Sequence, residues 1–174
     1  MYNNLIKQYN SIINFSRRVV MARAKFQVLV IPYIIQNNQI KYGMFLRADM
    51  NIWQFIAGGG EDDETPTEAA KREANEEANI DYNMPYYQLD TCCSIPAKVF
   101  SADIKRWGDN CFVIPEYAFA VNVKDEKFNL SNEHLQYNWV DYDSALKLLK
   151  YDSNKTALYE LDERIKKGML GEAR

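Results

Sequence analysis

Residues Gly58 to Ile80 read GGGEDDETPTEAAKREANEEANI, and no other stretch constrains the fold as strongly. A run of glycines feeds directly into a helix whose two ends are both written in the sequence. Thr65 is a favourable N-cap, Pro66 suits the first helical position, and Glu68 completes a T-x-x-E capping box. Ala69, Ala70, Ala74 and Ala78 favour helix and leave a thin face that can pack closely. Asn79 stands where the helix should stop, and Asn is second only to Gly as a left-handed terminating residue. The spacing predicts a helix over 66–78. Gly58, Gly59 and Gly60 are expected to form a loop whose bare backbone carbonyls can approach a metal or a phosphate.

The same stretch is dense in charge. Glu61, Asp62, Asp63, Glu64, Glu68, Glu73, Glu76 and Glu77 place eight carboxylates within twenty-three residues. Glu73, Glu76 and Glu77 fall at i, i+3 and i+4 and share one face of the helix. Like charges at that spacing cost a few tenths of a kcal/mol, roughly, per pair, so helix stability alone does not account for them. A hard cation on that face does, because Mg²⁺ takes oxygen ligands together with substrate phosphates.

Glycines, helix and spacing together resemble the Nudix box of the Nudix hydrolases, G-x5-E-x7-R-E-U-x-E-E-x-G-U, with U a bulky aliphatic residue. Gly58 matches the first Gly, Glu64 the first Glu, Arg72-Glu73 the R-E pair, Glu76-Glu77 the E-E pair and Ile80 the closing aliphatic. Ala74, small for U, and Asn79, in place of Gly, depart from the pattern. The resemblance implies a mixed β-sheet sandwiched between helices (α/β/α). It implies Mg²⁺, with Mn²⁺ as an alternative, held by Glu73, Glu76 and Glu77 and by the carbonyl of Gly59 or Gly58. Arg72 and Glu64 match the family's structural pair, with direct metal contact by Glu64 as the alternative. Glu73 and Glu76, with Arg72, are the catalytic candidates within the box.

Outside the box, Glu133 opens EHLQYNW, which is similar to an E-H-x-x-Y-x-W segment of several Nudix subgroups. There it is a candidate base or ligand for the nucleophilic water, against the plainer reading of a capping carboxylate. His134 is the one histidine of the chain, and a structural role is weighed above a chemical one. Arg47 is a candidate phosphate contact and Gly58 a substrate contact. Trp53, Phe55, Phe112, Tyr117 and Tyr137 are candidates for a base-stacking wall, against the alternative that strand aromatics fill a core. Asn154 is expected to cap the last helix.

LRADMNIWQFIAGGGEDDET, Ile95-Pro96, EHLQYNW and SNKTAL together resemble the branch of dATP pyrophosphohydrolase-like and dihydroneopterin triphosphate pyrophosphatase-like members. The expected activity is metal-dependent cleavage of a nucleoside triphosphate such as dATP to a monophosphate and pyrophosphate. Alternatives are a dinucleoside-polyphosphate or nucleotide-sugar hydrolase with the same metal site, and a nucleotide sensor that cleaves nothing.

The 174 residues suffice for one domain, and a net charge of −3 argues against non-specific nucleic-acid binding. No apolar run reaches the length of a membrane span. Cys92, Cys93 and Cys111 form no paired motif, which with the absence of a secretory signal points to reduced thiols and a cytoplasmic location. The adjacent Cys92 and Cys93 are expected to serve packing. The partner implied by the resemblance is a small nucleotide-like molecule, with a homodimer possible because dimers are frequent in the family. Residues 1–24 hold basic but no acidic side chains and read as an extension or short helix ahead of a domain over 25–174. Met21 offers an alternative start. A hairpin is expected over 26–47, strands over 53–57, 86–93, 111–123 and 137–140, an irregular piece over 94–110, and helices over 141–149 and 154–167.

Overall fold

The computed structural model describes residues 22–100 and 102–170; nearly all of the expected basic extension lies outside them. Strand β1 (Arg23–Gln36) opens inside the segment expected to precede the domain. It turns through Asn37 and Asn38, both at positive φ (51° and 59°), into β2 (Gln39–Arg47). Two left-handed residues in a two-residue loop match the right-handed twist of the flanking strands, and Asn tolerates that conformation.

The hairpin is paired only near its turn, from Tyr33↔Tyr42 to Gln36↔Gln39, and then splays. The fork is filled by β3 (Trp53–Gln54), which pairs with β2, and β4 (Ile56–Glu61), which pairs with β1. Pro32 falls in the central strand at this fork, between the β4 and β2 pairings. Its missing N–H is tolerated where the ladder changes partner. On the other side β1 runs parallel to β6 (Val113–Asn122), which pairs with β5 (Tyr86–Pro96), while β7 (His134–Val140) pairs with β2.

Gly58 and Gly59 do not form the expected loop. They are strand residues, with Val28↔Gly58 and Gln27↔Gly59 in register. Their lack of side chains serves close approach. A Cβ on Gly58 would sit 1.9 Å from Cδ of Glu73, and one on Gly60 would sit 2.1 Å from Cζ of Phe26.

Helix α1 (Pro66–Ala78) has the expected bounds, with the capping box formed and Asn79 left-handed (φ 55°, ψ 37°) at its end. Its alanines Ala69, Ala70, Ala74 and Ala78 pack on Val28, Val30 and Phe119 on one face of the sheet. The short α2 (Ile104–Trp107) lies within the piece expected to be irregular. On the other face α3 (Tyr142–Leu148) and α4 (Asp152–Lys166) set Ala145, Ala157, Leu158 and Leu161 against Leu29 and Ile31. The sheet is therefore sandwiched between helices. The small residue at position 74 now has a reason: Ala74 is fully buried in the thin seam between α1 and the sheet. Ala74→Leu, which restores the aliphatic residue of the box pattern, is expected to lower unfolding stability by about 1–3 kcal/mol. A denaturation midpoint unchanged from wild type would show that the seam has room.

Candidate active site

The glycine strand and α1 converge on Arg72. Its guanidinium grips Glu64 with both edges of the fork (Nε to Oε1 2.9 Å, Nη2 to Oε2 3.1 Å). Nη2 also donates to the carbonyl of Gly59 at 2.7 Å. Nη1 reaches Glu73 and Glu76, each at 3.0 Å. Glu64 is tied further by the N–H of Glu61 at 2.9 Å. This one cation thus gathers three hydrogen-bonded carboxylates and a backbone oxygen around a single point; burial draws the Arg72 pKa down, but Glu64 and Glu73 together push it above its ordinary value. Glu73 is pushed the other way: burial first, then the charges of Glu77 and Glu76, raise its pKa from 4.5 to about 7 although Arg72 opposes this.

Glu77 is 2% exposed and meets Nε2 of His134 at 2.5 Å. Burial raises its pKa, and the bond to His134 counters the rise. His134 itself is buried at the start of β7, its ring 5.2 Å from that of Phe45. The lone histidine therefore positions a box glutamate. Arg47 donates to both oxygens of Asp49 (2.9 and 2.8 Å) and stands 3.6 Å from Glu133.

A cleft of about 940 Å³ joins these groups. Glu73, Glu77, Gly58, Gly59, Arg47 and Glu133 line it; Arg72, Glu64 and Glu76 stand behind or beside it. The expected stacking wall is not there. Phe55 is fully buried beneath α4 and Trp53 packs in the same core, while Tyr137 lies edge-on to Phe128 at 5.1 Å in the opposite core. Their strands turn these rings into the sheet's two faces. Among the described residues, the aromatic side chains that border the cleft are Phe100 and Tyr151. Asn154 is not a cap: α4 begins at Asp152, and Asn154 sits buried in its first turn, lining the cleft. Nor do Cys92 and Cys93 serve packing, since Cys92 is exposed and Cys93 borders the cleft.

The far end of the cleft also escaped the sequence reading. Gln27, Glu116 and Cys93 stand side by side in register on β1, β6 and β5. The signal was present: Gln27 in FQVLVIPY and Glu116 in VIPEYAFA are polar residues inside otherwise apolar strands. A buried strand carries such a residue only with a partner or a task.

Among the described residues no three Asp, Glu, His or Cys side chains converge as a ready-made metal site. The donor set nevertheless suits a hard divalent cation. Glu73, Glu76 and the Gly59 carbonyl already share one cationic partner, Arg72, and all are oxygen donors.

A mixed sheet between helices, with a glycine strand and a glutamate-rich helix meeting at a cleft, defines the class. The NUDIX domain model matches residues 19–161, and the chain belongs to that family. It is a Nudix hydrolase. A crystal structure of a Listeria monocytogenes protein classed as a NUDIX hydrolase is 46% identical, covers 83% of this chain and 97% of its own, and superposes with a TM-score of 0.75. The dihydroneopterin triphosphate diphosphatase of Haemophilus influenzae is 30% identical over 132 residues, which is 75% of this chain and 83% of that protein. The structure of the Escherichia coli dihydroneopterin triphosphate pyrophosphohydrolase is 26% identical, covers 82% of this chain and 99% of its own, and gives a TM-score of 0.66.

Proposed function

We propose that this Nudix pyrophosphohydrolase is Mg²⁺-dependent and cleaves a small triphosphate between its α- and β-phosphates, dihydroneopterin triphosphate ahead of dATP. The observation that carries the reading is the gathering of Glu64, Glu73, Glu76 and the Gly59 carbonyl around Arg72 at one end of the cleft. The names of the relatives favour the pterin substrate.

Glu73, Glu76 and Glu77, with the Gly59 carbonyl, are the groups to hold the cation. When bound it would neutralise phosphate oxygens and bring the acidity of water toward neutrality. Arg72 keeps Glu64 and the glycine strand in place beside the carboxylates. Arg47, free to exchange Asp49 for a phosphate, holds the polyphosphate in the cleft. Glu133, beside Arg47 at the rim, is the candidate to take the proton of the attacking water. Water oxygen bonds to phosphorus, the bridging P–O bond breaks, and the products are a monophosphate and pyrophosphate. Most of the acceleration comes from positioning and charge stabilisation.

The test is pyrophosphate release from dihydroneopterin triphosphate, dATP, GTP, diadenosine tetraphosphate and a nucleotide sugar, with Mg²⁺ and with EDTA. The expected result is pyrophosphate from the triphosphates, abolished by EDTA and restored by Mg²⁺. Preference for the diadenosine compound or the sugar would overturn the substrate assignment, and turnover indifferent to EDTA would overturn the metal.

A further inference from the structure

Glu116 is 6% exposed, and no Lys, Arg or His pairs with it among the described residues. Burial holds its pKa above the usual carboxylate value, and the nearby hydroxyl of Ser153 only partly offsets the rise. A buried carboxylate with so little compensation is costly unless a ligand supplies hydrogen bonds. Beside it, Asn154 is 4% exposed, with Oδ1 buried and without a partner, while its amide nitrogen donates to Ser153 Oγ at 3.3 Å. Both residues line the cleft. Gln27 lies next to Glu116 in register, and its Oε1 is taken by Arg23 at 2.6 Å, which leaves its amide nitrogen to donate. The sheet row Gly59–Gln27–Glu116 leads from the carboxylate cluster to this end.

The end opposite the phosphate site thus presents three acceptor oxygens and one amide donor. We propose that Glu116 and Asn154 form a ring-recognition subsite for a 2-amino-4-oxopyrimidine edge, the edge shared by pterins and guanine. Such an edge offers a ring N–H and an amino group side by side. Glu116 accepts the ring N–H and one amino hydrogen as a bidentate pair, Asn154 Oδ1 accepts the second amino hydrogen, and Gln27 donates to the ring carbonyl. An adenine edge turns an acceptor nitrogen toward the same carboxylate and leaves it unpaired, and sites built on such pairing discriminate strongly. The proposal deepens the triphosphate reading and rests on it for the orientation of the substrate.

The experiment measures kcat/KM for dihydroneopterin triphosphate, GTP and dATP in the wild type, Glu116→Gln and Asn154→Ala, and in parallel titrates the fluorescence of neopterin, which carries no phosphate. In Glu116→Gln the GTP-to-dATP and pterin-to-dATP ratios are expected to fall at least tenfold, in Asn154→Ala severalfold, and neopterin binding to weaken in both. Should Glu116→Gln not fold, Asn154→Ala alone decides. Unchanged ratios in a folded variant overturn the subsite. If the wild type hydrolyses no triphosphate, the functional reading fails separately. The titration then decides: neopterin binding that depends on Glu116 or Asn154 upholds the subsite, and binding that is absent or indifferent to both overturns it.

Discussion

Glu76→Gln is expected to lower kcat by about 10²- to 10³-fold while the protein stays folded. Glu76 is the exposed member of the cluster, its side chain 56% accessible, and its ion pair with Arg72 is an i,i+4 contact on the helix surface. Such pairs contribute roughly 0–1 kcal/mol, so the fold does not depend on it. The activity does, if the carboxylate holds the cation. Steady-state kinetics beside thermal unfolding separate the two, and turnover near wild type would falsify the metal assignment. Glu73→Gln should lose activity likewise but differ in stability. The folded protein holds the Glu73 carboxyl at about 7 against an ordinary 4.5, so it binds the proton more tightly than the unfolded chain. Stability from this group is therefore full below 4.5 and declines as pH rises through 7. In chelator-treated protein, Glu73→Gln is expected to melt above wild type at pH 8 and to lose that advantage in acid.

Gly58→Ala is the second large effect, expected to cut kcat/KM at least a hundredfold. Its new methyl would lie 1.9 Å from Cδ of Glu73, so that carboxylate must leave its place against Arg72. A misplaced catalytic group of this kind costs about 10²-fold for a shift of about 1 Å. Gly60→Ala is the control. Its methyl would strike the Phe26 ring at 2.1 Å, away from the carboxylates, and should lower stability by about 1–3 kcal/mol as an overpacked site does. Activity per folded molecule should survive in Gly60→Ala and not in Gly58→Ala. Equal losses in both would mean that the glycines serve the strand pairing alone.

The parts of this fold that were legible in the sequence are those set by local rules. The capping box, the alanine seam and the left-handed Asn79 fix α1 to the residue, because each acts within one helical turn. The Arg72–Glu64 pair and the placement of Glu73 beside them follow from spacing along that helix and its preceding strand. Non-local facts were not legible. Gly58 and Gly59 read as loop because nothing local shows that β1 is waiting beside them. Phe55 and Tyr137 were candidates for a wall although strand aromatics more often fill a core, since only the completed sheet decides which face a strand residue enters. Asn154 has the composition of a cap, but α4 starts two residues earlier and turns it inward.

The parallel pairing of β1 with β6 carries a consequence for how the protein is made. Gln27 and Glu116 are neighbours across that pair, and Asn154 joins them from the last helix. The strand synthesised first must wait at the ribosome for a partner that emerges some ninety residues later, at Glu116–Asn122. Until then β1 can hold only its antiparallel neighbours, so the box helix can dock on a half-built sheet while the opposite end of the cleft does not yet exist. A nascent chain released before α4 emerges would carry every box glutamate, with Gln27 and Glu116, and still lack the side of the cleft that Asn154 closes.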